Sequence, residues 1–170
     1  MIELRQAKQH EAQIGNQLIH EGRLHQRAQG FVQWVDGFPN IDVVAEDIRL
    51  QRGYFLVEDQ IPIGYMCIDF NGEPVYDDLE GKWITDQKYV VVHRMAIGDA
   101  GRGRGMAHEV FRLVKELCIP RDVFSIRIDT HEANKKMQHV LAREGFAYCG
   151  MVSYEGDPRL AYELNLKTSV

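Results

Sequence analysis

Apolar and polar residues alternate in Ile2-Glu3-Leu4-Arg5, the period of a short half-buried strand. From Lys8 to about Gln29 the chain is polar and rich in helix formers, with Ile14, Leu18 and Leu24 marking one face. Asn40-Ile41-Asp42 opens a second helix to about Arg52, with Val43, Val44 and Ile48 inward. Between them lies an aromatic loop, Phe31 to Pro39. The apolar runs Tyr54–Val57 and Pro62–Ile68 flank Glu58-Asp59-Gln60 and predict a β-hairpin. Asn71 to Lys88 reads as a long polar connection, and Tyr89 to Ile97 as a strong strand.

A glycine-rich stretch, Gly101 to Gly105, then precedes a helix to about Cys118. Met106, Val110, Leu113 and Leu117 keep helical spacing there, and Pro120 ends it. Ser125 to Asp129 alternates as a strand. Asn134 to Glu144 forms a helix with Met137, Val140 and Leu141 inward and Gly145 at its C-terminal cap. Tyr148–Tyr154 and Leu160–Leu166 close the chain as strands. With no repeat, linker or low-complexity tract, residues 1–170 form one mixed α/β domain.

Composition refines this picture. The chain has 170 residues, 45% hydrophobic and 26% charged, enough for one core without metals or disulfides. A net charge of -5 argues against nucleic acid and anionic membrane as partners, and suits a cationic acceptor weakly. Cys67, Cys118 and Cys149 have no close spacing and apolar neighbours, as reduced buried thiols do. The N-terminus lacks the apolar core of a signal peptide, and no run is long enough to span a membrane, so the expected location is cytoplasmic.

The strand, glycine loop and helix from Tyr89 to Cys118 carry the strongest chemical signal. Glycines 101, 103 and 105 allow positive φ and close approach of a ligand. Amides at the helix start attract phosphate, and Arg102 and Arg104 add positive charge. A tight turn before a core helix would need the same glycines. A Walker loop is excluded, because Met106-Ala107 follows Gly105 in place of Lys-Ser/Thr. The dinucleotide fingerprint fails because Met106 stands where its third glycine belongs. His108-Glu109 and His131-Glu132 begin like zinc-helix motifs, but Arg112 and Lys135 replace the second histidine, so no metal site is expected.

Arg102, Gly105 and Ala107 match the Arg/Gln-x-x-Gly-x-Gly/Ala signature, and the chain resembles the GNAT superfamily of N-acetyltransferases. The strand His93–Ile97, the stretch Asp129–Met137 and Gly145-Phe146 follow in the expected order. The resemblance implies a strongly twisted mixed sheet of about six to seven strands, with splayed central strands and about four flanking helices. It implies acetyl-CoA as co-substrate and an amine as acceptor. Pantetheine would pair with backbone near Met95, Ala96 and Ile97. The diphosphate would lie on amides of Arg102, Gly103, Arg104, Gly105, Met106 and Ala107. Asn134 and Met137 would touch the cofactor arm, although Asn134 is equally suited to a helix N-cap and Met137 to core packing. A homodimer is a common assembly in such enzymes.

Amine acetylation needs a proton acceptor, because a lysine-type amine has a pKa near 10.4. His131 is the first candidate and His93 the second. The tyrosine expected seven residues after the motif asparagine is replaced by Leu141, which leaves the thiolate acid unassigned; Tyr148, Tyr154, Tyr162 and Cys149 are weaker candidates. Trp34, Asp36 and Trp83 could form an aromatic and anionic acceptor pocket, or simply cap the core. The alternative that keeps the fold is a catalytically inactive acetyl-CoA sensor.

Overall fold

The computed structural model describes residues 1–34 and 37–167. The chain divides into two compact units, residues 1–68 with 93–113, and residues 69–92 with 114–170. Among the described residues there are eight strands and four α-helices, in a mixed α/β arrangement. No described helix is long and apolar enough to cross a membrane.

In the first unit, β1 (Ile2–Gln6) lies antiparallel to β2 (Gly53–Glu58), with Ile2 opposite Glu58 and Gln6 opposite Tyr54. β2 returns as β3 (Ile61–Asp69) through Asp59 and Gln60, both at positive φ as a two-residue type I′ hairpin turn requires. β5 (Val90–Ile97) enters this unit at His93 and follows β3 in the strand order. The Gly98 N–H donates to the Ile63 carbonyl at 2.8 Å. Helix α1 (Ala12–Ala28) and α2 (Ile41–Arg49) supply Leu18, Ile19, Val44 and Ile48 to a core with Phe55, Val57, Tyr65, Trp34 and Ala96. Asn40 caps α2 as its sequence predicts, its side chain accepting the Val43 N–H at 3.1 Å.

The face of α1 differs from the expected one. Ile14 and Leu24 are exposed, and the buried positions are Gly15, Leu18, Ile19 and Arg23. Glycine has no side chain to mark a face, yet it sets this one. A Cβ at Gly15 would come within 2.8 Å of Val44, and one at Gly22 within 3.1 Å of Trp34 and 3.2 Å of Ala96. The helix packs through its gaps.

In the second unit the start of β5 pairs in parallel with β6 (Ser125–Thr130), Val90 opposite Ile126 and Val91 opposite Arg127. β6 lies antiparallel to β8 (Asp157–Asn165), β8 to β7 (Ala147–Tyr154), and β7 to a two-residue strand β4 (Glu80–Gly81). β4 falls inside the segment expected to be a long connection and takes the strand count past seven. That segment also holds a 3-10 turn, Pro74–Asp78, which delivers Tyr76 into the interior. Arg127, on β6, lies between the rings of Trp83 and Tyr89, 4.1 Å from each centroid. The fully buried Glu163 accepts from the amides of Ile84 and Thr85 and from the hydroxyls of Thr85 and Ser125. Helix α4 (Lys135–Arg143) ends at Gly145 with φ 93°, the left-handed cap predicted for it.

Candidate functional site

Helix α3 (Met106–Cys118) begins directly after the glycine loop, and Gly103 and Gly105 have φ of 77° and 72°. A side chain at either position would be strained, since L-residues pay about 1–2 kcal/mol in that region. A Cβ there would nonetheless meet no atom within 4 Å. The glycines are thus demanded by backbone shape, and the space beside them at the helix start is open. Met106 and Ala107 sit in the first turn, where amides have no carbonyl four residues back within the helix. A helix start of this kind is the type of main-chain surface at which anions bind.

The two loop arginines are committed elsewhere. Arg102 pairs with Asp99 and donates to the carbonyls of Ile97 at 3.2 Å and Glu21 at 3.5 Å, which ties the loop to β5 and α1. Arg104 makes a bidentate pair with Glu58, at 3.0 and 2.5 Å. Their positive charge is therefore largely offset, and the amides and helix dipole carry the attraction for an anion.

Upstream, β5 contains Arg94 at φ 50°, an unusual conformation for a non-glycine residue inside a strand. Its guanidinium grips the fully buried Asp47 at 3.0 and 2.6 Å, and Arg52 and Tyr65 add donors at 2.9 and 2.7 Å. Burial pushes the Asp47 carboxyl up, but the hydrogen bonds and charge of Arg94 lead a larger opposing effect that holds it below the ordinary range. Met95, Ala96 and Ile97 follow immediately, with Ala96 buried against Trp34 in the first unit's core and Met95 and Ile97 half-buried. Nothing in the hydropathy pattern marked Asp47; a lone acid on a helix reads as solvent-facing.

In the second unit, Asn134 accepts the Met137 N–H at 3.1 Å and so caps α4. Met137 is half-buried. His131 accepts the Ala133 N–H on Nδ1 at 3.0 Å. A neutral ring in that bond carries its proton on Nε2, so accepting a substrate proton through Nδ1 requires giving up the amide. Leu141 is fully buried in the core. Tyr148 is exposed and meets Tyr162 edge-on at 5.7 Å. Tyr154 donates to Asp129, and burial first, then the Asp129 charge, raise its pKa well above a phenol's usual value. That makes it a poor proton donor to a thiolate. Burial likewise raises the Cys149 thiol.

Of the expected acceptor residues, Trp34 is buried beside Gly22 and Ala96, and Asp36 lies outside the described residues. Trp83 donates its indole N–H to the Tyr76 carbonyl at 3.0 Å while its ring covers Arg127. The hydrogen bonds of Tyr76 and Tyr154 to Asp129 are not foreshadowed by the local sequence pattern. Asp129 was visible as the polar end of an alternating strand and the start of the Asp129–Met137 stretch, and its partners come from 53 and 25 residues away.

The Acetyltransferase (GNAT) family model matches residues 21–146 of the chain. A GNAT-family acetyltransferase from Streptococcus agalactiae is 35% identical, with a TM-score of 0.87 over 99% of this chain and 96% of that one. A second from Listeria monocytogenes is 23% identical, with a TM-score of 0.76 over 97% and 95%, and shares the fold. So does the aminoglycoside acetyltransferase AAC(6')-Ib, solved in complex with coenzyme A and kanamycin: 19% identity, TM-score 0.69, 97% of this chain and 95% of that one. No curated protein matches. A family model covering well over half of the chain and a relative at 35% identity across nearly its whole length agree: this chain belongs to the GNAT family of acetyltransferases.

Proposed function

We propose that the protein is an acetyl-CoA-dependent N-acetyltransferase that passes an acetyl group directly to an amine in a ternary complex. The observation that supports this best is the loop at Gly101–Ala107, whose two left-handed glycines open main-chain amides at the N-terminus of α3. Those amides would hold the diphosphate of the acetyl donor. The backbone of Met95, Ala96 and Ile97 would align its pantetheine arm and offer an N–H to the oxyanion that forms when the amine attacks the thioester.

Chemistry at the acceptor is simple in outline. The amine must be neutral to attack, so its proton leaves to a side chain or water, and ordering both substrates contributes much of the acceleration. His131 is the proposed participant, its Nδ1 taking the proton once it releases the Ala133 amide. The net charge of -5 supports a cationic acceptor, and the buried thiols Cys67, Cys118 and Cys149 support a reducing, cytoplasmic setting.

The test is release of free CoA thiol from acetyl-CoA in the presence of a panel of primary amines. Release that requires both protein and amine is the expected result. Tight acetyl-CoA binding with no turnover on any acceptor would instead favour a sensor.

A further inference from the structure

In the first unit, both oxygens of the fully buried Asp47 are filled. Oδ1 accepts from Arg94 Nη2 at 2.6 Å and Arg52 Nε at 2.9 Å, and Oδ2 from Arg94 Nε at 3.0 Å and the Tyr65 hydroxyl at 2.7 Å. The cluster joins α2, β3 and β5. A buried ion pair of this kind adds little net stability over apolar side chains of the same volume. What it does fix is geometry, because a two-pronged pair of guanidinium and carboxylate holds one orientation.

The geometry concerned is that of Arg94 itself. Its φ of 50° breaks the extended run of β5. Glycine would take that angle freely, whereas an L-residue is driven out of it unless something holds it. The position carries an arginine, clamped by a residue 47 places away. A local break in a strand re-aims the residues after it. Here those residues are Met95, Ala96 and Ile97, and their far end is fixed too. The Gly98 N–H donates to the Ile63 carbonyl at 2.8 Å. The Ala96 carbonyl oxygen lies 3.1 Å from where a Cβ of residue 64 would stand, so β3 closes on this segment through Gly64. Met95–Ile97 is thus a short span of backbone tied at both ends, and the upstream tie is the Asp47–Arg94 pair.

We propose that Asp47 is a positioning residue for the acyl donor: its grip on Arg94 keeps the backbone of Met95–Ile97 in the shape that receives the pantetheine arm. The proposal rests on the acetyltransferase reading, in which that segment and the glycine loop, both in the first unit, hold the donor. Asp47 acts only through the backbone angle of residue 94. A residue that adopts this angle unaided should therefore make Asp47 dispensable for binding.

The test separates backbone angle from stability. Asp47→Asn/Arg94→Gly and Asp47→Asn/Arg94→Met both remove the carboxylate and the guanidinium it clamps. They differ in the angle preferred at residue 94, since glycine takes positive φ about as readily as negative and methionine does not. CoA affinity of the full chain is read by calorimetric titration, and stability by thermal melting. Asp47→Asn and the methionine double variant should bind CoA about five- to thirtyfold more weakly than wild type, the loss expected when an unclamped L-residue rarely visits the left-handed angle. The glycine double variant should bind within about threefold of wild type. It should melt no higher than the methionine variant, because glycine gains more freedom on unfolding and has no side chain to pack. Equal CoA affinity in the two double variants, or affinity that simply follows melting temperature across the set, would overturn the proposal. Both double variants lack the orphaned Arg94 charge, so their comparison decides the matter even if Asp47→Asn alone does not fold. A wild type that binds no CoA would sink the acetyltransferase reading, and this proposal with it.

Discussion

Asp47→Asn probes the contact that holds Arg94 in its left-handed turn within β5. Four donor contacts converge on the buried carboxylate, two from Arg94, one from Arg52 and one from Tyr65. An asparagine keeps one acceptor oxygen and turns its NH2 toward groups that only donate there. The arginines, with side chains 20% and 28% exposed, are left largely buried without a counter-charge. Breaking such a pair costs about 3–5 kcal/mol. At about 2–4 °C per kcal/mol for a chain of this size, the melting temperature should fall by about 6–20 °C. The assay is thermal melting by circular dichroism at pH 7, beside the double variant Asp47→Asn/Arg94→Met, which removes the orphaned charge and should recover part of the loss. CoA affinity should also drop, because Arg94 sets the backbone path into Met95–Ile97. A single variant melting within about 2 °C of wild type would refute the reasoning.

Other perturbations follow from the same structure. Gly105→Ala should fold but melt about 2–8 °C lower, since a Cβ meets no atom yet φ is 72°. The hydrogen bonds from Arg5, at 2.8 and 3.0 Å, lower the Glu11 pKa from 4.5 to about 2 against the opposing effect of burial. A depressed acid stabilises the fold above its unfolded pKa, so this contribution, at most about 3 kcal/mol, should be full at pH 7 and vanish as pH falls from about 5 to 2. Denaturant titrations of wild type and Glu11→Gln should therefore diverge at neutral pH and converge near pH 2, and parallel curves would count against the pair. Burial raises the Cys118 thiol to about 11, and all three cysteines are buried. Native protein should resist thiol reagents that label all three after unfolding.

Much of the architecture was legible because periodicity reports burial directly. The hairpin at Asp59-Gln60, the Asn40 and Asn134 caps, the stop at Gly145 and the glycine loop all follow from local rules that tertiary context did not override. What escaped was packing through absence and charge held inside. Gly15 and Gly22 define the inner face of α1 by letting Val44, Trp34 and Ala96 close in, so Ile14 and Leu24 misled. Asp47 is buried because Arg94, 47 residues away, reaches it. Tyr76 enters the interior from a segment that reads as a polar connection. The glycine loop is one continuous stretch and was readable; the Asp129 cluster is assembled from three distant segments and was not.

The measurement closest to the central claim is calorimetric titration of the intact protein with CoA and acetyl-CoA, beside Gly105→Glu. The wild type should bind with a clear heat. The variant should stay folded and lose at least about a hundredfold in affinity, because a carboxylate about 4 Å from a phosphate costs several kcal/mol even with partial screening. No heat for the wild type at millimolar ligand, or equal affinity in both proteins, would contradict a main-chain diphosphate cradle at Gly101–Ala107.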